Sequence, residues 1–218
     1  YDDGGTCGHA THVAGTIAAK GDNSIGVAGV SWNSKIASIQ FLDYDPSWGV
    51  CSGDNDGAIA AIMYSAAIPE ITMTNNSWGG GPLSWALSDA IAYSDKLFFA
   101  AAGNAGNNND NNAFYPCAYD PDNIVCVASI EEDLDMSGFS NYGQTTVDIG
   151  GPGSSVYSTW PFNAYTYLDG TSMATPHVAG VAALALSIND QLHWTELKQL
   201  LLDNAIETPS LVGKCVSN

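Results

Sequence analysis

The chain contains no arginine: its five basic residues are all lysines, set against 23 Asp and Glu, for a formal charge of −18 over 218 residues. Phosphate-rich partners are held by clustered Arg and Lys, so nucleic acid is excluded as a partner. An anionic membrane surface would repel the chain for the same reason. No apolar run approaches the ~20 residues of a membrane span, so no membrane partner is expected. A charged-then-apolar leader is also lacking, and the first residue is Tyr rather than Met. A mature domain and an excised piece would both begin this way. No internal repeat and no long linker divides the sequence. With 45% hydrophobic and 13% charged residues, the chain is not disordered, and its length suits one domain with a sizeable core.

C-x-x-C spacing is absent among Cys7, Cys51, Cys117, Cys126 and Cys215, which argues against zinc and thioredoxin-like sites. Disulfides in a secreted protein are the preferred reading, with buried free thiols as the alternative. Cys117 and Cys126 flank a Pro/Asp/Asn turn and can meet; Cys7 with Cys51 is a second pairing, and Cys215 is left over.

What is present is an alternation. Short β-branched or aromatic runs (Lys35–Leu42, Ile71–Asn76, Leu97–Ala102, Ile124–Ser129) alternate with stretches of helical spacing. The latter are Ala10–Ala19, Asp56–Ala67, Leu83–Ser94, Met173–Ile188 and Thr195–Asn204. Near-continuous apolar strands between helices predict an α/β three-layer sandwich, with a mostly parallel central sheet and helices on both faces. Ligands in such folds sit at the carboxyl ends of the strands, where Gly-rich turns begin.

Three segments carry chemistry. In Gly8-His9-Ala10-Thr11-His12-Val13-Ala14-Gly15-Thr16, a histidine opens a small-residue helix and can face a cleft. His9 and His12 could instead share a metal, but no third ligand sits at a convincing spacing. In Ala100-Ala101-Ala102-Gly103-Asn104-Ala105-Gly106, a buried strand ends on an amide that can stabilise an oxyanion or simply form a turn. In Gly170-Thr171-Ser172-Met173-Ala174-Thr175-Pro176-His177-Val178-Ala179-Gly180, a serine enters an apolar helix as N-cap or nucleophile. Pro176 fits a bond-free first turn, which predicts a helix start close to Ser172.

Taken together, HATHVAGTIAA, AAAGNAG and GTSMATPHVAG resemble the histidine, oxyanion-asparagine and serine motifs of subtilisin-like serine proteases, in that family's order and spacing. SWGG (Ser77–Gly80), FSNYG (Phe139–Gly143) and GPG (Gly151–Gly153) are similar to further family markers, and the resemblance covers essentially the whole chain. It implies a serine endopeptidase with Ser172 as nucleophile, His9 as general base, and Asn104 plus the Ser172 N–H as oxyanion donors. His12 and His177 would be structural.

It further implies that protein or peptide substrates lie along Ser77, Trp78 and Gly79. Their P1 side chain would enter a pocket lined by Ala101, Ala102 and Gly103. That lining carries no acid, so P1 is expected to be apolar or broad. No catalytic cofactor is implied. A structural Ca²⁺ is, through Asn23 Oδ1 and the carbonyls of Ile25 and Val27 in the loop Lys20–Val27.

The pattern departs in places. The family's triad Asp precedes the histidine by roughly thirty residues, and only eight residues precede His9. Asp2 and Asp3 sit where the family has no triad member and read as a solvated loop. The expectation is one catalytic domain over 1–218, cut at both ends, without the first strand and the final helix. Ala10 replaces a usual Gly and should be tolerated. The sequon Asn75-Asn76-Ser77 runs into the substrate strand and is expected to be unoccupied. A secreted monomer is the expected state; a catalytically impaired homologue acting as a binding module is the alternative.

Overall fold

The computed structural model describes residues 7–47 and 50–217; Asp2 and Asp3 lie outside the described residues. In chain order the elements are α1 (His9–Ala18), β1 (Asp43–Asp45), β2 (Val50–Ser52), α2 (Asn55–Ala66), β3 (Met73–Asn76), α3 (Trp85–Ser94) and β4 (Leu97–Ala101). They continue with β5 (Ile124–Ile130), β6 (Ile149–Pro152), β7 (Val156–Trp160), β8 (Ala164–Leu168), α4 (Thr171–Ile188), α5 (Trp194–Asp203) and a 3₁₀ turn at Pro209–Leu211.

The apolar runs from 73 to 152 pair as a parallel sheet in the order β3-β4-β5-β6. Period-2 alternation then sorts their side chains between two cores. Phe98, Ala100, Cys126 and Ala128 face α2 and α3, meeting Ile62 and Ile91. Leu97, Phe99, Val125 and Val127 face the opposite side, against Ala174, Val178 and Ala182 of α4 and Leu197 of α5. Phe98 and Phe99 are essentially solvent-free, and each such burial contributes about 1.5–3 kcal/mol. The three-layer arrangement is therefore as the alternation predicts.

Two expectations fail. Lys35–Leu42 forms no strand, although its composition suits one. A strand is defined by its ladder, and no partner runs beside this segment among the described residues; residues 35–38 are exposed. At 18 residues, α4 is long and apolar enough by composition to cross a membrane, contrary to the expectation that no run approaches a span. It is instead the central helix of the fold, its apolar side buried against the sheet.

The antiparallel hairpin β7-β8 was not foreseen. It supports α1: the Ser158 hydroxyl donates to His12 O (2.7 Å) and the Thr159 hydroxyl to Thr11 O (2.7 Å). Gly15 lets the two elements approach, since a Cβ there would run into the Thr159 side chain. Ala10 in α1 is exposed, so its methyl meets no neighbour that matters. Disulfides join Cys7 to Cys51 and Cys117 to Cys126, and Cys215 is a buried free thiol.

Candidate active site

Strands β3 and β4 both end in Gly-containing turns at the same sheet edge, and α4 begins opposite them. The cleft between them encloses about 300 Å³ and is lined by Trp78, Gly79, Ala101, Gly103, Asn104, Phe114, Thr171 and Ser172. None of these is charged. Trp78 is fixed edge-on between Phe41 (centroids 5.0 Å) and Phe98 (6.3 Å), which anchors the Ser77–Gly79 stretch to the core. Ala102 does not line the cleft: it is fully buried in the α2/α3-side core, because alternation along β4 turns it away from Ala101 and Gly103.

Ser172 is the second residue of α4. First-turn N–H groups have no intrahelical acceptor, and the helix dipole favours negative charge there. The Ser172 hydroxyl donates to Ser77 O at 3.3 Å, and the Ser77 hydroxyl donates back to Ser172 O at 2.8 Å. Pro176 explains the second bond. It is the sixth helical residue rather than a first-turn one, so the Ser172 carbonyl lacks its usual i+4 donor. Ser77 supplies the missing hydrogen bond and ties the Ser172 peptide to the strand beside it.

Asn104 is held by its oxygen. Oδ1 accepts from the Thr171 N–H (2.9 Å) and the Thr171 hydroxyl (2.9 Å), while Thr171 Oγ1 itself accepts from Gly103 N (3.1 Å). That fixes the amide's rotation and leaves Nδ2 without a protein acceptor among the described residues. The turn carrying Asn104 is secured from behind by two buried asparagines. Asn141 Oδ1 accepts from Ala105 N (2.9 Å) and Asn107 N (3.1 Å), and its amide donates to Asn109 Oδ1 (3.0 Å). Asn109 donates in turn to Ala102 O (2.9 Å). Gly103 has φ +104, a backbone that a side chain would strain.

His9 opens α1 and reaches solvent. The protein crowded around it, and secondarily His12, hold its pKa below the ordinary imidazole value of 6.5. The ring is thus neutral near neutrality, the state a general base needs. It makes no side-chain hydrogen bond among the described residues. His12 is fully buried, with Nε2 donating to Val156 O (3.1 Å) and Thr166 O (3.2 Å). That engagement removes Nε2 as a metal ligand beside His9. His177 is likewise occupied, Nδ1 donating to Met173 O at 2.9 Å.

In the loop Lys20–Val27, Asp22, Ser24 and Gly26 have φ of 54°, 58° and 57°, and the backbone curls around Asn23. Asn23 Oδ1 accepts from Ile25 N at 3.0 Å. Its oxygen-only chemistry suits Ca²⁺, but three neutral oxygens fall short of the 6–8 that ion takes. No cluster of three or more His, Cys, Asp or Glu that could complete a metal site occurs among the described residues.

Comparison with known proteins decides the family. A sequence model of the Subtilase family matches residues 1–216. The chain belongs to the subtilase family. This subtilase is 39% identical to subtilisin DY of Bacillus licheniformis over 202 residues, covering 91% of the chain and 70% of that relative. It is 40% identical to thermitase of Thermoactinomyces vulgaris over 183 residues, covering 83% of the chain and 61% of thermitase. Among solved structures, a cold-adapted subtilisin-like serine proteinase superposes with a TM-score of 0.79 at 35% identity, over 97% of the chain and 75% of that structure. These relatives set the subtilase among serine endopeptidases. Four residues that shape its cleft escaped the sequence reading: Phe114, Thr171, Asn109 and Asn141. Thr171 and Asn141 lay inside quoted motifs; Asn109 and Phe114 lay in a loop whose composition signals only a turn.

Proposed function

We propose that this subtilase domain hydrolyses peptide bonds of protein or peptide substrates through an acyl-enzyme. His9 takes the Ser172 Oγ proton as the oxygen attacks the scissile carbonyl, and then gives that proton to the departing amine. Water, deprotonated by His9, attacks the ester and releases the acid, returning the proton to Ser172. Asn104 Nδ2 and the Ser172 N–H receive the oxyanion in each tetrahedral intermediate. The observation that carries this reading is the pinned Asn104 oxygen, since only with Oδ1 held by Thr171 is Nδ2 left to donate beside Ser172.

The carboxylate that would orient His9 belongs, by the family resemblance, upstream of Tyr1. Ser77, Trp78 and Gly79 would pair with the substrate backbone, and the uncharged cleft lining favours an apolar P1 side chain over Lys or Arg. The disulfides suit an extracellular site of action, and the domain would act as a monomer. Asn23 with the carbonyls of Ile25 and Val27 would hold one side of a structural Ca²⁺ that takes no part in the chemistry. Fluorophosphonate labelling of the parent protein tests the core of the proposal. Labelling is expected and should vanish in Ser172→Ala; a folded parent that takes no label would overturn it.

A further inference from the structure

The cleft has two backbone walls, Trp78–Gly79 after β3 and Ala101–Gly103 at the end of β4, and a third element closes it. Phe114 lies across the gap and touches both walls. A Cβ on Gly79 would stand 2.7 Å from Phe114 Cζ, and one on Gly103 would stand 3.0 Å from Phe114 Cγ. The ring therefore lies against the Cα faces of both glycines. It occupies the inner part of the slot in which a side chain entering between the walls would lie.

Phe114 is also fixed in place. The carbonyl of the next residue, Tyr115, accepts from Gly80 N at 2.8 Å, tying this loop to the wall it packs against. Ala118 N returns to Phe114 O at 2.9 Å, and Cys117 is bonded to Cys126 on β5. Asn109 reaches Cys117 Sγ from the other side (3.4 Å). With its loop anchored at Phe114, Tyr115 and Cys117, the ring acts as a floor rather than a swinging gate.

We infer that Phe114 is the specificity-determining residue of this site and that its ring restricts P1 to small uncharged side chains, alanine above phenylalanine or leucine. The inference rests on the proposed protease reading and narrows it. A large P1 side chain would meet the ring at close-packed density, where even one methylene is felt. Removing the ring opens a slot bounded by two glycines, whose faces suit an aromatic side chain.

The test is hydrolysis by the parent protein of two peptide series that differ only at P1, Ala against Phe, for the wild type, Phe114→Gly and Phe114→Leu. The wild type should favour Ala in kcat/KM by about tenfold or more, the discrimination that one to a few methylenes produce in an apolar pocket. Phe114→Gly should reverse the order, and Phe114→Leu, which keeps a packed side chain should glycine destabilise the loop, should fall between. A wild type that cleaves after Phe as readily as after Ala, or an unchanged ratio in both variants, overturns the inference. Fluorophosphonate labelling of each variant separates the two failures. Normal labelling with a flat ratio removes only the role of Phe114, whereas a folded wild type that takes no label removes the protease reading and the inference with it.

Discussion

The segments that carry Ser172 and Asn104 are built differently from the one that carries His9. On the serine side, Ser172 exchanges hydrogen bonds with Ser77, Asn104 is pinned by Thr171, and the turn behind it is stitched by Asn141 and Asn109. On the histidine side, His9 starts a helix whose first residue carries no side-chain hydrogen bond among the described residues. The serine side is made by core elements, the ends of β3 and β4 and the start of α4, so the packing that folds the sheet also sets the site. The histidine side is one layer further out: α1 packs Val13 and Ile17 against Met173 of α4 and rests on β7-β8, and neither contact gives the His9 ring a hydrogen bond. Preorganisation in this molecule is therefore a property of the sheet's carboxyl edge rather than of all three motif segments.

The sharpest way to break that contrast is to unpin the oxyanion side. Asn104→Ala should lower kcat by about 10²–10³ with little change in KM, the loss known for this type of donor in a subtilisin. Thr171→Val removes the hydroxyl, which is one of two Thr171 donors to the Asn104 oxygen and the acceptor for Gly103 N, and a loss of about tenfold is expected. Steady-state kinetics of the parent protein measures both. Equal losses would mean that orientation is everything; no loss in Thr171→Val would mean that the backbone N–H of residue 171 and the turn suffice to position Asn104.

A smaller effect probes the buried support. Asn141→Ala strands the Ala105 and Asn107 N–H groups and the Asn109 oxygen together. Water can reach the two exposed N–H groups, so about 2–3 kcal/mol of stability should be lost, close to the cost of one fully buried orphan. Denaturant unfolding checks this. Asn141→Asp, which buries a carboxylate and sets one of its oxygens against Asn109 Oδ1, should lose at least as much.

These residues also mark what could be read from the chain. Strand and helix alternation was legible because buried parallel strands are apolar without interruption, as in Leu97–Ala101, and that pattern is local. Ser172, His9 and Asn104 were singled out only by three motifs read together, since each alone reads as well as a helix cap, a helix start or a turn. Lys35–Leu42 misled because a strand-like composition does not guarantee a ladder partner. The helix start close to Ser172 was legible, with α4 opening at Thr171, but Pro176 was read as a first-turn residue because the sequence does not reveal that Ser77 relieves its missing N–H. Phe114 could not be recognised at all: its role arises from two glycines, Gly79 and Gly103, that meet its ring only in three dimensions.

The smallest expected effect concerns pH and asks whether the two sides unfold as one. His12 stands on the histidine side and His177 on α4 behind Ser172; burial is the chief cause that lowers both pKa values from 6.5. A histidine whose folded pKa lies below its unfolded value stabilises fully above the unfolded pKa, and that contribution is lost as pH falls through it. Each should therefore add at most about 1.4 kcal/mol per pH unit to the slope of stability below 6.5. His12→Gln and His177→Gln retain a side-chain donor for the carbonyls that the rings now bond, but cannot take up a proton. Measured by denaturant unfolding between about pH 7.5 and 5, each variant should flatten the slope, by at most one proton's worth, if the halves fold cooperatively. If His12→Gln flattens it and His177→Gln does not, the α1 side opens first in acid, and the looser histidine side is also the less stable one.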